Sequence, residues 1–201
     1  MVNDSAQRWN GTVSLERLRT DASPETATHG LYIEATHQFE FDVAPRGKTE
    51  IPLPQDLQQT DQPQSDVLVV RSEGIGFGDR ILHLYAEDKD RITEPARITA
   101  RCARVRGGVE VTVTAQTIVR DLVLQADRID PAATVSEQCV SLLPGESHTF
   151  RITSAFAPEG TSETDVWCRY PVLQGVGIRE DSILLPDLHK AEILTPEGTR
   201  W

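Results

Sequence analysis

The stretch LLPGESHTF, residues 142–150, most resembles catalytic machinery in this 201-residue sequence, because it places a glutamate, a serine and a histidine side by side. A histidine that accepts a serine's proton makes that serine a nucleophile. Pro144 and Gly145, however, suit the central positions of a type II turn, which a strand would follow. On a strand, Ser147 and His148 point to opposite faces. The segment therefore predicts a hairpin and no catalytic pair.

Other groupings of reactive side chains are weaker. EGIGFGD (73–79) is glycine-rich but is not GxGxxG, and no helix follows it, so a surface turn is favoured. EDKDR (87–91) lacks the glycine and the distant glutamate of a calcium loop. No HxH or HExxH motif joins the dispersed histidines, which are His29, His37, His83, His148 and His189. We predict no catalytic residue, no cofactor and no metal site.

Aromatic side chains could stack on sugar rings, but they make up only 5% of the chain and do not cluster in the sequence. Such side chains are more often buried in a core or an interface. We therefore expect core or interface positions for Trp9, Tyr32, Tyr85, Trp167 and Trp201. Paired carboxylates could hydrolyse a glycosidic bond, yet no pair stands out among the 31 acidic residues.

Composition restricts the partners. The net charge of −11 would repel a phosphate backbone, and the arginines are scattered among acidic residues, so we expect no nucleic acid partner. No apolar run approaches the ~20 residues that span a bilayer, so we expect no membrane anchor. Cys102, Cys139 and Cys168 are odd in number and form no CxxC pair. This pattern predicts unpaired thiols, Cys102 in a core, and a cytoplasmic location.

Apolar and polar residues alternate with a period of two in the segments that must position any site. In VEVTVTA (109–115), valine and alanine alternate with glutamate and threonine, and QFEFDVA (38–44) alternates in the same way. This alternation is typical of half-buried antiparallel strands. Further strands are predicted at 11–18, 31–37, 66–70, 80–86, 97–103, 120–126, 138–143 and 148–154, with strand-like segments in DVWCRYPVL (165–173) and SILLPDL (182–188).

Many short strands separated by turn residues predict an all-β fold of two tandem immunoglobulin-like antiparallel β-sandwiches. The charged segment 86–97 interrupts the alternation, which restarts at Ile98, so we place the boundary near Arg91. The predicted division is a first sandwich at 1–91, a second at 92–156, and a final strand with an irregular surface tail at 157–201.

Three stretches together resemble a known family: VNDSAQRWNGTVSLERL (2–18), HLYAEDKDRITEPARI (83–98) and VTVTAQTIVRDLVLQADRIDPAATVSEQCVSLLPGESHTFRI (111–152). In that order they are similar to the C-terminal part of bacterial β-mannosidases of glycoside hydrolase family 2. The resemblance implies the last two immunoglobulin-like domains of such an enzyme, with the first sandwich missing its first strand.

The family's catalytic residues lie on a (β/α)8 barrel and do not carry over. Its acid/base glutamate follows an asparagine, whereas Asn3 and Asn10 are each followed by another residue. The resemblance implies a non-catalytic module, inactive alone, that packs against the barrel of a parent hydrolysing terminal non-reducing β-D-mannosyl residues. A carbohydrate-binding module and an independent interaction or adhesion domain remain alternatives, and carbohydrate or a second copy of the chain stay open as partners.

Overall fold

The structure, a computed structural model, describes residues 1–20, 31–74, 80–91, 95–154 and 165–185. Within these ranges the chain forms one short α-helix, α1 (Gln55–Gln58), and twelve strands. The strands are β1 (Trp9–Arg19), β2 (Tyr32–Val43), β3 (Asp66–Gly74), β4 (Arg80–Leu84), β5 (Ile98–Val105), β6 (Gly108–Ala115), β7 (Val119–Leu124), β8 (Thr134–Val135), β9 (Val140–Leu142), β10 (Ser147–Thr153), β11 (Leu173–Val176) and β12 (Ile183–Leu184).

The strands form three sheets. Their orders are β2-β1-β3-β4, β12-β5-β6-β10-β8 and β11-β7-β9. Every pairing between them is antiparallel except that of β12 with β5. The predicted fold class, all-β with antiparallel sheets in sandwich form, is confirmed.

The chain divides into two compact units. Unit 1 comprises Met1–Ala96 with two short segments, Gln116–Ile118 and Leu143–Gly145, and it holds the four-stranded sheet. Unit 2 comprises the rest of the chain and holds the five-stranded and three-stranded sheets. The finer division at residues 91 and 156 stays a prediction.

β3, one of the two inner strands of the unit 1 sheet, is buried on both faces over its first part, which its uninterrupted apolar run predicts. Val67 and Val69 point to one face and pack with Leu18 and Leu143. Leu68 points to the other face and packs with Leu57 of α1. A sheet covered on both sides needs no polar alternation along its middle strand.

The sheet of unit 1 changes phase at a bulge in β2. Arg17 pairs with Ala35 but Leu18 pairs with Ile33, so β2 holds one extra residue, Glu34, at this point. A bulge of this kind bends and twists the strand. The displaced glutamate places its carboxylate 2.8 Å from Arg19 Nη1.

The core of unit 2 follows the predicted alternation. In β6, four side chains are buried while the intervening glutamate and threonines are only partly covered; the buried ones are Val109, Val111, Val113 and Ala115. Phe150 and Ile152 of β10 are also buried. The three-stranded sheet contributes Leu122, Leu124 and Leu173, each fully buried.

Two local predictions are wrong. The Pro144–Gly145 turn does form, with Gly145 at φ +85°, but it joins β9 of the three-stranded sheet to β10 of the five-stranded sheet, so it is not a hairpin. The segment 165–173 is not a strand: it begins with a 3₁₀-helix, Asp165–Cys168. Trp167 and Cys168 are both completely buried, and consecutive residues of a strand would point to opposite faces.

Candidate functional site

Ser147 and His148 lie on opposite faces of β10, as the sequence predicts. The Ser147 hydroxyl is exposed and lies 2.7 Å from Thr114 Oγ1 on the neighbouring strand. His148 stacks edge-on against Phe150, with ring centroids 4.6 Å apart, and its Nε2 lies 3.7 Å from Glu137 Oε2. The imidazole therefore contacts neither the serine nor its proton, and this pair performs no nucleophilic chemistry.

Two outward-facing carboxylates of the sheets are bound to arginines. Arg8 Nε donates to Asp42 Oδ1 at 2.6 Å, and Arg151 Nε donates to Glu110 Oε1 at 3.1 Å. The Arg8 hydrogen bond lowers the pKa of Asp42, and a hydrogen bond from His37 lowers the pKa of Asp56. A general acid of a glycosidase needs the opposite shift, toward a higher pKa.

The aromatic side chains form no common platform in the described ranges. Trp167 is completely buried in unit 2, and Trp9 packs beside Val13 and Phe41 in unit 1. Tyr85 donates a hydrogen bond of 2.7 Å to the backbone oxygen of Leu57, and burial raises the pKa of its hydroxyl. Tyr32 is exposed and so does not lie in the core, and an interface position for it stays a prediction. Trp201 lies outside the described residues.

Metal-ligating side chains do not gather anywhere in the described ranges: no three histidine, cysteine or acidic side chains there are placed to hold an ion. His29 and His189 lie outside those ranges, as does most of the glycine-rich segment 73–79. In the segment 87–91, Lys89 lies in a short exposed 3₁₀-helix, Asp88–Asp90, and its Nζ is 2.8 Å from the carboxylate of Glu87.

None of the three cysteines, all within the described ranges, forms a disulfide bond. Cys168 is buried, Cys139 is exposed, and Cys102 is half-buried rather than a full core residue. No described helix has the length and apolar character needed to cross a membrane.

The most heavily buried polar group of unit 1 was not predicted from the sequence. The carboxylate of Asp66, at the start of β3, has no solvent exposure. Arg19 of β1 donates to both of its oxygens, with Nε–Oδ1 at 2.9 Å and Nη2–Oδ2 at 3.2 Å. Thr60 donates its hydroxyl proton to Oδ2, and Arg91 Nη1 donates to the Asp66 backbone oxygen at 3.2 Å. We call these residues, with Arg17, the Asp66 cluster.

The Asp66 cluster holds a loop against the sheet. Arg17 Nε lies 3.8 Å from Asp66 Oδ2, and Arg17 Nη1 donates to the backbone oxygen of Gln59 at 3.2 Å. His37 Nε2 donates to Asp56 Oδ2 at 2.9 Å, which ties α1 to β2. These contacts fasten residues 51–62, here called the cover segment, over the apolar face that contains Leu15 and Leu68.

The chemistry of the Asp66 cluster is that of a buried ion pair. A guanidinium donates hydrogen bonds but does not release its proton in proteins, and the hydrogen bond to Asp66 raises the pKa of Arg19 still further. With no exposed surface, the carboxylate meets no substrate. The only sequence signal was an aspartate directly before an apolar run, DVLVV. The cluster therefore builds the scaffold and performs no reaction.

Comparison with solved structures gives a fold relationship. The chain is similar to a β-D-mannosidase from Dictyoglomus thermophilum, with a TM-score of 0.60 and 8% identity over 92% of this chain and 20% of that chain. A second match is exo-chitosanase CsxA from Amycolatopsis orientalis, with a TM-score of 0.42 and 12% identity over 76% of this chain and 22% of that chain. No protein-family model and no curated protein matches the sequence.

The likeness to the β-mannosidase shows a shared fold, since 8% identity carries nothing finer. This chain spans about a fifth of that enzyme's length. The class that the fold defines is thus an all-β sandwich protein that matches one region of a longer chain.

Proposed function

We propose that this chain is a non-catalytic β-sandwich module of a β-mannosidase and packs against the parent's catalytic barrel. One observation carries the proposal: 92% of the chain aligns with a fifth of a β-D-mannosidase, although only 8% of the aligned residues are identical. The resemblance of residues 2–18, 83–98 and 111–152 to family 2 β-mannosidases supports the same parent. That parent would hydrolyse terminal non-reducing β-D-mannosyl residues with retention.

The described side chains support a structural role. A retaining glycosidase places two carboxyl groups about 5 to 5.5 Å apart and keeps one of them protonated. Asp42 and Glu110 instead bind arginines, and Asp66 is sealed inside unit 1. The proposed module comprises two immunoglobulin-like sandwiches, 1–91 and 92–156, with a final strand and tail at 157–201. The cysteines without disulfides support a cytoplasmic location.

The coding sequence that precedes the Met1 codon tests the parent directly. An in-frame segment encoding a (β/α)8 barrel with two glutamates on barrel strands would support the proposal. An in-frame segment encoding an unrelated protein, or a stop codon close upstream, would reject it and leave an independent β-sandwich domain.

Enzyme assays test the absence of catalysis. The purified chain should release no aglycone from an aryl β-mannoside above the buffer rate, because its carboxylates do not form a catalytic pair. A purified, active β-mannosidase serves as the positive control. Turnover that one carboxylate substitution abolishes would contradict the proposal.

Calorimetry separates this proposal from the carbohydrate-binding alternative. Mannobiose titrated into the chain should give no saturable heat, since the exposed Tyr32 has no aromatic side chain beside it within the described ranges. Saturable binding that is lost in Tyr32→Ala or Trp9→Ala would favour a carbohydrate-binding module instead.

A further inference from the structure

The turn between β5 and β6 projects from the core of unit 2. Ile98, at the start of β5, is completely buried, whereas every residue from 103 to 107 is exposed. The two strands pair as far as Val105 and Gly108, so the turn that joins them is short. Residues 103–107, here called the hairpin tip, therefore present their side chains to solvent and are accessible to a partner.

The hairpin tip is braced from one side by β10. Gly108 pairs with Thr153 of β10, and a Cβ at Gly108 would lie 1.8 Å from the backbone oxygen of Ile152, so the two strands are in close contact. Gly107 takes φ +88°, the value that the third residue of a type II turn requires. A braced tip has less conformational freedom to lose when a partner binds.

Positive charge is concentrated at the hairpin tip. Acidic residues outnumber basic ones by 31 to 20 in the chain, yet residues 96–109, ARITARCARVRGGV, contain four arginines and no aspartate or glutamate. Arg104 and Arg106 belong to the tip, and Arg101 is exposed on β5 just before it. The tip is thus a basic projection on an acidic protein.

The three arginines differ from other exposed cations of the chain. Lys48 and Lys89 each lie within ion-pair distance of an acidic side chain, at 3.6 and 2.8 Å. Arg101, Arg104 and Arg106 have no such pair with any residue of the described ranges. Their guanidinium groups therefore keep their hydrogen-bond donors for an external acceptor.

An apolar side chain between two of these arginines indicates the kind of partner. Val105 is 42% exposed and stands between Arg104 and Arg106 in the chain. An aliphatic side chain gains free energy when another apolar group removes it from water, and a phosphate backbone offers no such group. Carboxylates accept charge-assisted hydrogen bonds from arginine, often two at a time. The combination fits a polypeptide in which acidic residues flank an apolar one.

We propose that the hairpin tip, together with Arg101, binds an acidic polypeptide segment through side chains. Carboxylates of the segment bind the three guanidinium groups, and an apolar side chain of the segment covers Val105. With a net charge of −11, most of the chain repels such a segment, so attraction is confined to the tip. This inference does not depend on the proposed function.

Backbone-amide NMR of the full chain, titrated with a short glutamate-rich peptide that contains leucine, tests the proposal. Saturable shifts should appear at residues 101–107. Replacing the three arginines together should weaken binding about tenfold, since each exposed ion pair contributes a factor of about two. The variant combines Arg101→Gln, Arg104→Gln and Arg106→Gln. The matched control removes the same charge elsewhere and should leave the affinity nearly unchanged; it combines Arg8→Gln, Lys48→Gln and Lys89→Gln.

A second peptide, in which serine replaces leucine, tests the apolar contact. Val105→Thr keeps the shape of the side chain but replaces a methyl group by a hydroxyl. It should weaken binding of the leucine peptide about threefold and leave binding of the serine peptide unchanged. Both affinities should fall as salt rises, because exposed charges are screened.

Four results would overturn the proposal. They are saturable shifts that lie outside residues 101–107 or no saturable shift at millimolar peptide, equal losses in the two triple variants, an equal effect of Val105→Thr on both peptides, and tighter binding of heparin or duplex DNA than of the leucine peptide. An amide spectrum that is unchanged outside the substituted sites would show that each variant is folded, so a loss of binding reports on the tip itself.

Discussion

The inner strand β3 of unit 1 begins with a buried aspartate, whereas β6, the central strand of the five-stranded sheet of unit 2, alternates apolar side chains with threonines and a glutamate. In unit 1, the Asp66 carboxylate binds Arg19 and lies close to Arg17, both on β1. Arg17 in turn donates to the backbone of Gln59 in the cover segment. In the described part of unit 2, no charged side chain is buried, and fully buried apolar side chains from both sheets form the core.

The difference teaches what each unit depends on. Apolar burial is non-directional and roughly proportional to area, so the core of unit 2 should tolerate changes that keep volume. A buried ion pair needs every partner in place, because removing one leaves an uncompensated charge. Unit 1 should therefore be sensitive to chemistry at one position, and unit 2 to volume at many.

The largest effect should come from the core of unit 2. Phe150→Ala should lower the free energy of unfolding by about 3–5 kcal/mol, because Phe150 has no solvent exposure and its removal leaves a cavity. Urea denaturation followed by hydrogen-exchange mass spectrometry would locate the loss in unit 2. The neighbouring exposed Thr149→Ala is the control, and an equal loss in both variants would contradict the packing argument.

Replacing the buried carboxylate should destabilise unit 1. Asp66→Asn should cost about 2–4 kcal/mol, because the guanidinium of Arg19 loses its fully buried charged acceptor and keeps only Glu34 and Asp61, which are both partly exposed. Faster amide exchange in residues 51–66 and β1 would report it. Asp61→Asn, whose side chain is 81% exposed beside Arg19, should change the stability by less than about 1 kcal/mol. Loss of protection confined to unit 2 would refute the assignment.

Alanine substitutions at the adjacent Gly107 and Gly108 separate the effect of crowding from that of backbone strain in unit 2. A Cβ at Gly108 would lie 1.8 Å from the backbone oxygen of Ile152 on β10, so Gly108→Ala should force the strands apart and cost about 1–3 kcal/mol. At Gly107 the space is open but φ is +88°, so Gly107→Ala should cost about 1 kcal/mol. Only Gly108→Ala should speed amide exchange in β10. Similar exchange in the two variants would count against the observed pairing of β6 with β10.

The smallest expected effect is the pH dependence of stability that arises from the hydrogen bond between His37 and Asp56 of the cover segment. The hydrogen bond from His37 lowers the folded pKa of Asp56 below its unfolded value. The stability that this hydrogen bond adds to the folded state is therefore fully present above the unfolded pKa of Asp56, about 3.9, and is lost as the pH falls through its folded pKa. A carboxyl NMR titration should show the Asp56 pKa returning toward its ordinary value in His37→Gln, while the Arg8-bound Asp42 keeps its lowered pKa.

The alternation of β6 and the apolar run of β3 made their strands predictable, because side-chain direction along a strand repeats every two residues. The opposed faces of Ser147 and His148 followed from the same period. The bulges did not. Val119 and Leu122 are both buried although three residues apart, because the register of β7 shifts between them and Asp121 takes φ +51°. No local pattern marks that extra residue.

The sequence by itself determined the all-β class, most strand positions and the turn at Pro144–Gly145, since these depend on local periodicity and on backbone preferences of single residues. Tertiary structure decided which sheet each strand joins, and so made that turn a crossing between β9 and β10. It also decided that Asp66 meets Arg19, 47 residues away in the chain. Such pairings arise from long-range packing, which no short stretch of sequence encodes.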